Sequence, residues 1–155
     1  MTALNTFHSI YDEISNNYEE THQKETDHVI DALIKQRAFT YTRLISLIQQ
    51  HKDEIPLGII EVSEPDMLNY LIFLETNWTF DEIRRLDLKD VLLLLRPAML
   101  DCIPETEVDY LKEEAEVEKY LRRERQYVLS EAATQPDLPD MNFPHFWRLV
   151  EKLTE

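Results

Sequence analysis

The residues best spaced for chemistry are two Glu-x-x-His pairs, Glu19 with His22 and Glu25 with His28. On a helix that spacing puts a carboxylate and an imidazole on one face. Carboxylate-bridged di-metal bundles use such a pair, but on two different helices, with further glutamates supplied by two others. Here both pairs lie six residues apart in one segment, so a helical metal-dependent enzyme is a minor alternative and no metal is expected. His8 with Asp12, at i and i+4, is a weaker pair still. Nucleophilic chemistry needs a Ser, Cys or Thr held by a base, usually in a special turn. Cys102 has no such surroundings, and the sequence contains no Gly-x-Ser-x-Gly, no phosphate-cradling glycine loop and no His-Glu-x-x-His. No catalytic residue and no cofactor is expected.

What remains is recognition chemistry. The chain carries 31 acidic and 16 basic residues, a net charge of −15. That argues against direct nucleic-acid binding, which requires clustered Lys and Arg on phosphates, and fits attraction to a basic protein. The acidic segment 105–124, with Glu113, Glu114, Glu116 and Glu118, is one candidate partner-binding face. The aromatic pair Phe146 and Trp147 is the other, because buried aromatics dominate interface energetics. Trp78, the second tryptophan, is expected in the core.

The elements that must position these residues are helical. From Thr26 to Gln50, Val29, Ile30, Leu33, Ile34, Ala38, Tyr41, Leu44, Ile45 and Ile48 recur at three- and four-residue steps without Gly or Pro. A helix of that length spans about 37 Å at ~1.5 Å per residue, so the rest of the chain must wrap around it. Leu4, Phe7, Ile10, Tyr11, Ile14 and Tyr18 predict a first helix ending near Asn16-Asn17, with Thr21 or Thr26 capping the long one. Pro56 and Gly58 end the long helix, and Ile59 to Val62 is expected as a buried loop crossing. Ser63 with Asp66 caps a helix through Glu75 whose apolar residues leave almost no polar face, so it should be central. Thr79 with Glu82 is a capping box opening a short helix, and Asp87 with Asp90 caps another that Arg96-Pro97 bends or stops.

Beyond Pro104 the composition turns charged to about Ala133, with a thin apolar stripe of Tyr110, Val117, Leu121 and Val128. The expected organisation is a helical core over 1–133, a Pro-rich linker over 134–144, and a C-terminal docking helix over 145–155 that Pro144 opens. The fold class is all-α: one domain of six to seven helices around the 26–50 helix, with short capped helices at 79–95. A single glycine, Gly58, supports that class. One cysteine excludes an intramolecular disulfide, and no signal peptide or ~20-residue apolar span is apparent, so the expectation is a cytoplasmic protein.

The stretch Asn77 to Leu94, Asn-Trp-Thr-Phe-Asp-Glu-Ile-Arg-Arg-Leu-Asp-Leu-Lys-Asp-Val-Leu-Leu-Leu, resembles helical corners in small phage tail-assembly proteins. The resemblance implies a phage or accessory-element origin and carries over no residue role. Together these observations lead us to expect a non-enzymatic acidic module that inhibits or neutralises a basic, nucleic-acid-handling partner protein, of inhibitor, antitoxin or immunity type, or a mimic of nucleic-acid charge. The alternative from another class is a phage or secretion assembly chaperone binding an apolar client segment. Self-pairing into a homodimer through the long helix is a further option.

Overall fold

The computed structural model describes residues 3–25, 27–54, 62–101 and 141–154. Among them are seven helices and no strand: α1 (Ala3–His22), α2 (His28–Glu54), α3 (Glu64–Thr76), α4 (Phe80–Arg84), α5 (Leu88–Leu94), α6 (Arg96–Asp101) and α7 (Phe143–Thr154). The fold is all-α, as the periodicity requires. The crossing expected at Ile59 to Val62 lies, save for Val62, outside the described residues. So do Cys102, the charged segment 105–133 and most of the linker.

α2 is the axis. Ile30, Ile34, Ala38, Tyr41, Leu44, Ile45 and Ile48 are buried along it, and so are Phe39, Thr42 and Leu47, which lie outside that stripe. Burial on several sides follows from its neighbours: α1 pairs with it most extensively, α3 and α6 cover further stretches, and the rings of Tyr41 and of Phe146 on α7 lie 5.3 Å apart. Each fully buried large apolar side chain contributes about 1.5–3 kcal/mol, so this shared face supplies most of the driving force. Its last turn carries His51 and Lys52, favourable at the negative end of the helix dipole.

α1 runs past Asn16-Asn17 to His22, and Gln23, at φ 51°, makes the turn. Weak helix formers cost a few tenths of a kcal/mol each, whereas Tyr18 and Ile14 are buried against α2. Burial therefore outweighs propensity. The cap of α2 is Asp27, whose Oδ1 accepts from the Ile30 amide at 2.8 Å, and not Thr21, whose hydroxyl donates to Asn17 Oδ1 within α1. A carboxylate in that position also complements the helix dipole.

The caps expected downstream are formed. Ser63 Oγ accepts from the Asp66 amide, Asp87 Oδ1 from the Asp90 amide at 2.9 Å, and Thr79 and Glu82 make both bonds of a capping box. Leu95 ends α5, and the chain restarts at once as α6 with Pro97 in its first turn, where a missing N–H costs nothing. α7 begins at Phe143. Asn142 caps it by accepting from the His145 amide at 2.9 Å.

Candidate partner-binding surface

α3 is not central. Met67, Leu68, Leu71 and Ile72 face the core, but Tyr70 is 40% and Leu74 51% exposed. A helix of 13 residues packed against α2, α4 and α5 can bury only the sides those neighbours cover. Trp78 corrects the sequence expectation too, being 42% exposed, and Phe80 is 43% exposed. The reason is local: Asn77 ends α3 in the left-handed conformation at φ 57°, Thr79 caps α4, and Trp78 is the single residue linking them, at the surface where connections run.

Tyr70, Phe73 and Phe80 form a ridge. The Tyr70 and Phe73 rings stack at 6.5 Å and 23°, and the Phe73 and Phe80 rings at 5.4 Å and 20°. Tyr70, Leu74, Trp78 and Phe80 are each exposed by about two-fifths to a half. The backbone beneath is held by local bonds: the Asn77 amide donates to the Phe73 carbonyl at 2.8 Å, the Trp78 amide to Thr76 Oγ1 at 3.2 Å, and the Thr79 amide to Glu82 Oε2 at 3.2 Å. Asp66, Glu75, Asp81 and Glu82 are exposed on α3 and α4, and so are Arg84 and the adjoining Arg85. Of these, Asp81 faces Arg84 at 3.4 Å.

The C-terminal aromatics sit in the opposite situation. Phe146 is 0% exposed and packs on Tyr41, so it faces the core and is withdrawn from any partner. Trp147 is half-buried, its ring 4.8 Å from Phe146 and stacked at 6.3 Å on Phe143. Glu113, Glu114, Glu116 and Glu118 lie outside the described residues.

Where α7 meets α1, Glu13, Ile14, Asn17, His145, Arg148, Leu149 and Lys152 line a cleft of about 70 Å³. That is well below the roughly 300–1,000 Å³ of ordinary small-molecule sites. Lys152 pairs with Glu13 across it. Tyr41, fully buried, has its hydroxyl 3.4 Å from His145 Nδ1, and desolvation pushes its phenol up to about 12. His145 is held below the usual histidine range, first by desolvation and then by the Arg37 and Arg148 charges, with Glu13 opposing.

Among the described residues the Glu-x-x-His side chains do not converge. His22 stacks on Tyr18 at 4.3 Å with Nδ1 at 3.0 Å from the Tyr18 carbonyl; Glu19 and Glu25 are exposed, and the His28 side chain is not among those described. Among the described residues no group of three or more His, Cys, Asp or Glu could hold a metal ion, and no helix is long and apolar enough to cross a membrane. The ridge was legible only in part: spacing marks Tyr70, Phe73 and Phe80 as helix-face residues, but not which face is covered. Comparison with protein-family models, with characterised proteins and with solved structures found no match to this chain.

Proposed function

We propose that this protein is a non-enzymatic binding module that neutralises a basic protein, and that it grips that partner at the α3–α4 corner. The observation that carries the reading is the exposure of Tyr70, Leu74, Trp78 and Phe80 at one corner whose exposed charged residues include Asp66, Glu75, Asp81 and Glu82 beside Arg84 and Arg85. Aromatic anchors supply affinity at the centre of an interface, and charges around them supply encounter rate and selectivity. A second copy of the chain fits this corner poorly. It would bring another −15 of charge to a chain that already carries −15. A basic segment with apolar residues on one side suits both features.

The test is capture from native extract at low and high salt, followed by affinity measurement with the purified captured protein. Trp78→Ala and Phe80→Ala should each weaken binding by about tenfold or more, the scale of an interface hot spot. Charge reversal at Glu75 and Glu82 should slow association and flatten its salt dependence. Reversals at Glu113, Glu114, Glu116 and Glu118, run in parallel, decide whether that acidic segment contributes. Affinities unchanged by all of these substitutions would overturn the proposal. Binding that survives high salt yet falls with Trp78→Ala would instead favour a chaperone that holds an apolar client segment.

A further inference from the structure

We propose that the docking of α7 onto α1 and α2 is a proton-sensitive latch, closed while His145 is neutral and loosened when it is protonated. The inference rests on what faces the imidazole from each helix packed around it. From α2 come the Tyr41 hydroxyl at 3.4 Å and the Arg37 charge; from α7 itself comes Arg148; from α1 comes Glu13, already engaged by Lys152. A neutral ring suits this site, because in the tautomer protonated at Nε2 its Nδ1 can accept from the Tyr41 O–H. An imidazolium would add a cation under the influence of the Arg37 and Arg148 charges, in a half-buried position where the facing carboxylate among the described residues, Glu13, is already paired with Lys152.

The position is mechanically apt. His145 sits in the first turn of α7, immediately before Phe146, and its ring lies 6.0 Å from that of Tyr41 at 57°. Charge placed here acts at the point where the helix enters the core. The sign follows from linkage. His145 is depressed in the docked state, so the undocked state binds more protons, and the histidine's contribution to docking is whole above its ordinary value of 6.5 and fades as pH falls below it. The other face of α7 contact, Phe146 with Leu149 and Val150, is apolar and does not titrate.

Trp147 reports the event directly. With Trp78→Phe it becomes the sole tryptophan of the full chain, half-buried among Phe143 and Phe146. Between pH ~7.5 and ~5, above the ordinary carboxylate range near 4, its emission should shift to the red and its quenching by acrylamide should rise about twofold, while the far-ultraviolet helix signal is retained. Adding His145→Gln should abolish the change. A transition of the same size in the His145→Gln protein, or no transition in the parent, would overturn the latch. Should His145→Gln already be open at neutral pH, Arg37→Gln decides: a response shifted to lower pH supports the proposal, and an unaltered response overturns it.

Discussion

Two aromatic clusters, each containing one of the two tryptophans, end in opposite environments. At the α3–α4 corner, Trp78, Tyr70 and Phe80 stand at the surface on a backbone fixed by caps and short-range hydrogen bonds. At α7, Phe146 disappears between α1 and α2, and Trp147 is drawn half under with it. The corner holds its shape without burying its rings, whereas α7 is held because it buries one. An aromatic residue is thus a fold determinant at one site and solvent-exposed at the other, and the difference lies in the neighbouring helices rather than in the side chain.

The sharpest way to break this comparison is to truncate one ring on each side. Phe146→Ala should cost about 3–4 kcal/mol in chemical denaturation, the range for large-to-small changes in a core, and a loss under about 1 kcal/mol would mean that α7 does not dock through it. The next largest effect is expected from alkali. Tyr41 is pushed up to about 12 by desolvation, so stability is whole below pH 10 and is lost as pH climbs from 10 towards 12, by roughly 2 kcal/mol at one pKa unit per 1.36 kcal/mol. Tyr11 adds to the same window, since burial and its bond to Asp31 push it up to about 12 as well. A Tyr41→Phe protein should lose part of that alkaline dependence.

Smaller effects should mark the corner. Thr79→Ala removes the capping box and should cost about 1 kcal/mol by thermal melting, a loss that would show local bonding to be the corner's main support. Phe80→Ala should cost less than about 1 kcal/mol, since its exposed ring gives up little burial. A cost as large as that of Phe146→Ala would erase the distinction between the two clusters. At the bottom of the scale, Glu64→Gln should cost no more than about 0.5 kcal/mol, because its bond to Lys52, at 2.9 Å, is partly exposed. That carboxyl is lowered chiefly by the Lys52 bond, so its contribution is present above the ordinary value of 4.5 and fades as pH falls below it.

Much of the architecture was readable from residue order because its causes are local. The three- and four-step apolar spacing of α2, the Ser63, Thr79 and Asp87 caps, and the break at Arg96-Pro97 each depend on residues within a turn or two. Two expectations at helix ends were overturned. Asn16-Asn17 suggested an end that the burial of Tyr18 overrode, and Thr21 was read as a cap of α2 where the Asp27 side chain bonds the Ile30 amide instead, while Thr26 lies outside the described residues.

The candidate surface was less legible. Composition alone established the charge, the dearth of glycine and the helical class, since these are sums over the chain. Which rings face outward is a property of three-dimensional neighbours: α3 carries apolar residues all round, and only the placement of α2, α4 and α5 decides that Tyr70 and Leu74 are left exposed while Met67 and Leu71 are not. The meeting of Tyr41 with His145, 104 residues apart, is likewise a product of tertiary packing. Local hydrogen bonding and periodicity are written in the order of residues, but solvent exposure and long-range charge contacts exist only once the helices have packed.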